Sequence, residues 1–335
     1  MRKINPNTEL LSHLSAQLYA ADKDALMGDY DKVAKEEHRQ HGFRTDYMFG
    51  YVAGALGKCS IIKHEHAAGL LLSNVDFKVP DYRIVLLDGT QFLVEVKNCN
   101  ELKKSFKSDW LDKQRAYAAL NNLPLKLAVY WRKIGKWTLV DASNFLSNGN
   151  QSQTLDIGKA MMLNEMATLG DVTLGTLLPL KFRLGFSKEK THRINENEWQ
   201  IVVESAEMFC RDIRIEDKLE QSIAFKIMVG GNLQEENELI LRDDGSPECN
   251  IFSYDKFEKD ERNDQDFEMV GSLSRIISSS YMHATSWNND EREAQLIMPR
   301  QEPEDFKFFI PENYKGKHLP LWRFVLQPNN SIRIE

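Results

Sequence analysis

Three charged residues in the segment VPDYRIVLLDGTQFLVEVKN (79–98) could carry out chemistry together: Asp81, Glu95 and Lys97. Two carboxylates that lie side by side repel one another unless a cation sits between them. Oxygen-only ligands favour a hard cation such as Mg²⁺ or Mn²⁺ over zinc. An ammonium group on the same face would position or deprotonate a water molecule, or stabilise a pentavalent phosphate. The combination is typical of metal-dependent phosphodiester hydrolysis.

The turn at Asp88-Gly89 decides whether these carboxylates meet, because it sets the register of a β-hairpin. A strict two-residue loop would place Asp81 opposite Val96, on the wrong face of the strand. A three-residue loop, Leu87–Gly89, with Gly89 in the left-handed conformation, would place Asp81 opposite Glu95. We predict the three-residue loop, because its register also stacks apolar side chains across the hairpin. The predicted apolar pairs are Tyr82 with Val94 and Ile84 with Phe92.

The elements around the hairpin predict an α/β fold with a mixed sheet covered by helices on both faces. An apolar helix beginning near Asp46 leads into a short strand at 59–65. After the hairpin, residues 108–122 predict a helix capped by Ser108 or Asp109. Strands are expected at 125–131 and 136–141, separated by a turn at Gly135. The order is helix, strand, strand, strand, helix, strand.

Pro80-Asp81 followed by Glu95-x-Lys97 at the end of an apolar strand resembles the PD-(D/E)xK nuclease superfamily, which includes restriction enzymes and archaeal Holliday-junction resolvases. The resemblance covers residues ~37–140 and implies a restriction-endonuclease-like α-β-β-β-α-β core. It implies that Asp81 and Glu95 bind Mg²⁺ or Mn²⁺ and that Lys97 serves the attacking water.

Further residues follow from the same resemblance. Several branches of the superfamily carry a Gln and a Tyr on the helix after the lysine, and Gln114 and Tyr117 match them as catalytic candidates. Their spacing is Q-x-x-Y, whereas RecB-type members usually show Q-x-x-x-Y. Branches also use an acidic residue of the first core helix as a metal ligand. Asp46 and Glu37 are the candidates here, and Asp46 is preferred.

The charge is unevenly distributed along the chain. The net charge is −7, yet residues 1–150 hold 21 Lys+Arg against 17 Asp+Glu, and residues 151–335 hold 22 against 33. This asymmetry suggests that the first half tolerates a polyanion and the second does not, although chance scatter would give the same count. The candidates for binding a nucleic-acid backbone, with Trp131 and Trp137 nearby, are Lys103, Lys104, Lys107, Arg132, Lys133 and Lys136. A solvated basic face is the alternative.

Other functional classes lack support in the sequence. The four cysteines are far apart, which argues against a zinc site or a disulfide framework and fits a reducing cytoplasm. No apolar run approaches the ~18 residues of a membrane span, and the start MRKINPNTELL has no secretory h-region. The sequence has no P-loop, Rossmann fingerprint or G-x-S-x-G. A transition-metal site from His41, His64 and His66 would need a convergence that the sequence does not show.

The polar stretch at 147–154 predicts a linker between two domains. The first, 1–147, would be a Mg²⁺-dependent nuclease domain, acting on DNA in restriction, phage defence or DNA processing. The second, 155–335, would be an acidic α+β accessory domain that binds a protein partner, self-associates or gates the nuclease. The alternative function is a non-catalytic nucleic-acid-binding or interaction scaffold that retains the nuclease fold.

Overall fold

The computed structural model describes residues 44–65, 74–145, 152–196, 198–257, 266–288, 294–296, 303–307, 310–311 and 313–326. The chain forms two compact units. Unit 1 comprises Met1–Asp171, Ile277–Lys307 and Leu326–Glu335, and unit 2 comprises Val172–Ile276 and Phe308–Val325. No helix among the described residues is long and apolar enough to cross a membrane.

Unit 1 contains a mixed sheet of five strands within its described part, in the order β1-β2-β3-β5-β6. Only the central pair, β3 and β5, is parallel, and the other neighbours are antiparallel. The strands of unit 1 up to residue 171 are β1 Cys59–His64, β2 Tyr82–Leu86, β3 Gln91–Cys99, β4 Lys103–Phe106, β5 Leu125–Trp131, β6 Lys136–Asp141 and β7 Gln153–Asp156. The helices are α1 at residues 44–55, α2 at Ser108–Leu120 and α3 at Ile157–Met162.

Both faces of the central strand β3 are buried, since Phe92–Val96 form a continuous buried run. On one face, Phe49 of α1 contacts Tyr82 of β2, with ring centroids 5.9 Å apart. The other face packs on α2, where Leu111 shares a cluster of buried residues with Leu93. Apart from the short strand β4, which pairs outside this sheet, helix, three strands, helix and strand follow in the expected α-β-β-β-α-β order. The predicted α/β fold class, a mixed sheet flanked by helices, is therefore confirmed.

The hairpin between β2 and β3 has the predicted register. Tyr82 pairs with Val94 and Ile84 with Phe92. The loop Leu87–Gly89 has three residues, because the N–H of Leu86 donates to the carbonyl of Thr90 at 2.8 Å. Gly89 lies in the left-handed region with φ of 86°. The apolar pairs across the hairpin and the turn therefore specify the same register.

Two local expectations for unit 1 differ from the structure. Helix α2 begins at Ser108 with Lys107 as its N-cap residue, and no side chain caps it, so the predicted cap by Ser108 or Asp109 is wrong. The predicted division at 147–155 also differs from that of the compact units, because residues 152–171 belong to unit 1. One reason is strand β4, which pairs antiparallel with β7 across the predicted linker.

Unit 2 is an α+β unit, as expected for the C-terminal part of the chain. Its main sheet has the order β13-β12-β9-β15-β14, and a smaller one has the order β16-β8-β19. The strands of unit 2 are β8 Thr173–Leu177, β9 Leu180–Phe186, β10 His192–Arg193, β11 Trp199–Gln200, β12 Val203–Cys210, β13 Ile213–Arg214, β14 Gln234–Leu241, β15 Pro247–Asp255, β16 Phe267–Ser272 and β19 Leu321–Phe324. Helix α4 comprises Lys218–Gly230. Its N-cap residue is Asp217, whose side chain accepts hydrogen bonds from the N–H groups of Leu219 and Glu220.

Strand β16 is followed directly by helix α5, Leu273–Thr285. The first four residues of α5 belong to unit 2 and the rest to unit 1. Unit 1 also contains the short strands β17, Ser286–Asn288, and β18, Ala294–Leu296. Most of the predicted linker lies outside the described residues.

The hairpin turn gives a test of the register. A Cβ at Gly89 would meet no atom within 4 Å, so Gly89→Ala costs only the left-handed backbone conformation. We expect a loss of about 1 kcal/mol in the free energy of unfolding, measured by urea titration. Gly89→Asn should lose clearly less, because Asn tolerates this conformation. Leu87→Ala at the exposed neighbouring position is the control; equal stability of the Ala and Asn variants would contradict the assigned turn.

Candidate functional site

Asp81, Glu95 and Lys97 meet at one end of the mixed sheet. Glu95 and Lys97 project from β3 on the face covered by α2, and Asp81 directly precedes β2. Because Tyr82 pairs with Val94, Asp81 stands opposite Glu95, as the sequence predicts. The N–H of Val96 donates to Oδ2 of Asp81 at 2.7 Å, which fixes that carboxylate at the edge of β3.

The carboxylate of Glu95 has a partner at each oxygen. Its Oε1 accepts a hydrogen bond from the ammonium of Lys97, which also donates to the carbonyl of Val96 at 3.0 Å. Its Oε2 accepts from Nε2 of Gln114 at 2.8 Å. Lys97 also lies 5.1 Å from the ring centroid of Trp110, within cation–π range. A single positive charge therefore already lies against Glu95 and the Val96 carbonyl.

Burial raises the pKa of the three carboxyl groups at this site, and neighbouring carboxylates add to the shift for Glu95 and Asp46. Glu95 is only 5% exposed; burial and the charge of Asp81 raise its pKa to about 7, although Lys97 and Gln114 oppose the shift. Burial raises the pKa of Asp81 as well. For Asp46 of α1, burial and then the charges of Asp81 and Glu95 raise the pKa to about 8, against the effect of Lys97. Burial lowers the pKa of Lys97, but Glu95, Asp81 and Asp46 outweigh it and the net shift is upward.

The two residues of the Q-x-x-Y pair have different surroundings. Gln114 is 2% exposed and contacts Glu95 directly, and its Oε1 is buried without a hydrogen-bond partner among the described residues. The hydroxyl of Tyr117 instead donates to Oε2 of Glu65 at 3.0 Å. The structure thus brings Gln114 to the predicted site and places Tyr117 in a neighbouring cluster.

Sequence reasoning did not identify this cluster, which is centred on Glu65. Glu65 follows β1 and is buried, and Nε of Arg83 lies 3.0 Å from its Oε1. Arg83 also donates to Oδ1 of Asn121 at 2.8 Å, just beyond the end of α2. Burial opposes ionisation of Glu65, but Tyr117, Arg83 and Lys63 outweigh it and lower its pKa. In the sequence, only the position of Glu65 at the end of a short strand pointed to this cluster, and the neighbouring histidines drew attention to a metal site instead.

The Glu65 cluster is tied to Asp81 through the main chain. The N–H of Glu65 donates to the carbonyl of Asp81 at 2.8 Å. Tyr117 and Asn121 belong to α2 and its C-terminal end, and Gln114 lies on the same helix. The cluster therefore anchors the helix that carries Gln114 to the strands that carry Asp81.

The six basic residues predicted to contact nucleic acid are not equivalent. Lys103, Lys107, Arg132 and Lys133 are exposed, and Lys133 forms an ion pair with Glu101. Lys104 and Lys136 are partly buried. Trp131 and Trp137, which the sequence places near these residues, have rings that are 0% exposed and fill the core, where their Nε1 groups donate to Thr138 and Ser278.

Neighbouring carboxylates raise the pKa of Glu95 and Asp46. Within the described part of the chain, however, no group of three His, Cys, Asp or Glu side chains is arranged to hold a metal ion. Asp46 is therefore electrostatically linked to Asp81 and Glu95 without completing a set of three ligands. His64 lies against Tyr82, with ring centroids 4.8 Å apart. Glu37, His41 and His66 lie outside the described residues.

Comparison with solved structures gives a structural likeness. No protein-family model and no curated protein matches the sequence. A solved structure of Hjc, a Holliday junction resolvase from Archaeoglobus fulgidus, is similar at 16% identity and a TM-score of 0.31. The match covers 39% of this chain and 96% of that chain. At these values the likeness carries no argument about function.

The raised carboxyl pKa values predict how metal-free stability depends on pH. In the unfolded chain these groups release their protons near pH ~4, whereas folded Glu95 and Asp46 hold theirs to about 7 and about 8. Over that interval the folded state binds more protons, so the free energy of unfolding should fall as pH rises.

Asp46→Asn should reduce this fall, and at pH 8 the variant should be more stable than the wild type, because it removes a buried charge. Urea titrations from pH 5 to 8 without divalent cations measure both effects. Asp109→Asn, whose side chain is 78% exposed, is the control. Identical pH profiles for Asp46→Asn and the wild type would show that Asp46 carries no such shift.

The hydrogen bond between Tyr117 and Glu65 predicts an energetic coupling. Tyr117→Phe should lower the free energy of unfolding by about 1 kcal/mol, and Glu65→Gln should also destabilise the protein because it removes the charge that faces Arg83. The double variant should lose less than the sum of the two, because both substitutions break one interaction. Strictly additive losses would mean that the hydroxyl does not bind Glu65 in solution.

Proposed function

We propose that this chain is a divalent-metal-dependent nuclease that hydrolyses phosphodiester bonds. The observation that carries the proposal is the hairpin register, which sets Asp81 opposite Glu95 with Lys97 on the same face. The alternative two-residue turn would have separated these groups. Buried acidic groups of strongly shifted pKa are common at functional sites, because burial and neighbouring charges match the pKa of a catalytic group to its task.

The donor set fits a hard cation such as Mg²⁺ or Mn²⁺. Asp81, Glu95 and the carbonyl of Val96 are all oxygen donors, and the last two already converge on one ammonium. A divalent cation held there would act as a Lewis acid on a phosphate and lower the pKa of a bound water. With a cation bound, Lys97 would no longer pair with Glu95, and its ammonium would be available to hold the attacking water or the developing phosphate charge. Gln114 keeps the Glu95 carboxylate oriented throughout.

The finer parts of the proposal rest on the sequence. A DNA endonuclease in restriction, phage defence or DNA processing is consistent with the basic first half of the chain. The acidic second half would bind a protein partner, self-associate or gate cleavage. We include Asp46 as an outer acidic group, because the charges of Asp81 and Glu95 contribute to raising its pKa.

Substitutions at the site give the main test of the proposal. Asp81→Ala, Glu95→Gln and Lys97→Met should each reduce DNA cleavage with Mg²⁺ or Mn²⁺ at least about a hundredfold. Calorimetric Mn²⁺ titration should separate their roles: the first two variants lose affinity, whereas Lys97→Met keeps or gains it because the competing ammonium is gone. Lys58→Met, beside the hairpin turn at the other end of the sheet, is the matched control.

Equal cleavage by all variants would exclude this site, and cleavage of RNA in parallel assays decides between the two nucleic acids. A wild-type protein that neither binds Mn²⁺ nor cleaves any nucleic acid would favour the non-catalytic scaffold.

A further inference from the structure

Beyond Glu95, one edge of β3 pairs with no strand among the described residues. The N–H of Leu93 donates to the carbonyl of Pro124, so odd-numbered residues of β3 point their main-chain groups towards β5. Even-numbered residues point theirs to the opposite edge, where Val96 meets the side chain of Asp81. Strand β2 begins only at Tyr82, opposite Val94. The carbonyls of Val96 and Asn98 therefore face an edge that no described strand pairs.

Two ammonium groups occupy this edge. Lys97 donates to the carbonyl of Val96 and Lys104, from β4, donates to the carbonyl of Asn98, each at 3.0 Å. Carbonyls two residues apart on a strand are separated by about 6.6 Å. The two carbonyls that hold the ammonium groups thus have a spacing of the same order as the separation of neighbouring phosphates in an extended nucleotide chain.

Lys104 differs from the other basic residues nearby. It is partly buried, yet among the described residues no carboxylate forms an ion pair with it. Burial and the nearby charge of Lys97 lower its pKa, although Cys99 opposes this. Lys133, by contrast, pairs with Glu101, and Lys103 is exposed on the same strand as Lys104. A partly buried cation without a counter-ion is suited to an external anion.

We propose that Lys104 forms a second phosphate subsite beside Lys97, so that the site takes two consecutive phosphates of a polynucleotide strand. This inference rests on the proposed function and specifies its substrate class. Lys97 contacts the phosphate that lies beside Asp81 and Glu95. Lys104 contacts the next phosphate along the polynucleotide strand. A substrate with a single phosphate would lack the second contact.

The test compares two small ligands that contain no phosphodiester bond and so cannot be consumed by the proposed reaction. Thymidine 3′,5′-bisphosphate carries two phosphates on one nucleotide unit, and thymidine 5′-monophosphate carries one. Dissociation constants are measured by calorimetry in Mg²⁺ for the wild type, Lys104→Gln, Lys104→Arg and Lys58→Gln. The last variant removes an exposed lysine at the far end of the sheet.

We expect the wild type to bind the bisphosphate about tenfold more tightly than the monophosphate, as one charge-assisted contact would give. Lys104→Gln should abolish this preference, whereas Lys104→Arg and Lys58→Gln should retain it. No preference in the wild type, or an equal loss for both ligands in Lys104→Gln, would overturn the subsite. Because the comparison needs no turnover, a protein that shows the preference but cleaves nothing would refute the nuclease proposal alone.

Discussion

The burial of Glu95 is the constraint on which the rest of unit 1 depends. A carboxylate beneath a helix loses its hydration, so it must gain hydrogen bonds, a counter-ion or a proton. Gln114 donates a hydrogen bond to Glu95, and Lys97 is its counter-ion. Burial and the charge of Asp81 raise its pKa to about 7, which favours binding of a proton. The surrounding elements supply these partners from a neighbouring helix and from the same strand.

Helix α2 connects the stability of the sheet to the geometry of the site. Leu111 and Ala118 pack on the core, and Gln114 lies between them in sequence and contacts Glu95. One turn later Tyr117 binds Glu65, whose main chain holds that of Asp81. A displacement of this helix would therefore disturb both carboxylates at once. This arrangement explains how a Gln and a Tyr one turn apart belong to different clusters and still serve the same end of the sheet.

Positive charge at the site is supplied by lysines whose ammonium groups lie along the main chain of β3. Lys97 neutralises Glu95 in the metal-free protein, so a divalent cation would have to displace an ammonium and protons rather than enter a site of bare carboxylates. Metal affinity would consequently rise with pH, since its ligands must be deprotonated. Lys104 extends the positive charge along the same open edge, away from the carboxylates.

The sequence by itself determined the core elements, the hairpin register and the approach of Asp81 to Glu95 and Lys97, because period-two alternation and a glycine turn are local signals. It could not show that α2 buries Glu95, that Tyr117 turns to Glu65, or that Trp131 and Trp137 lie in the core. It also missed the pairing of β4 with β7 across the supposed linker. These features depend on contacts between residues distant in the chain, and only the tertiary structure decides which polar groups lose water and what replaces it.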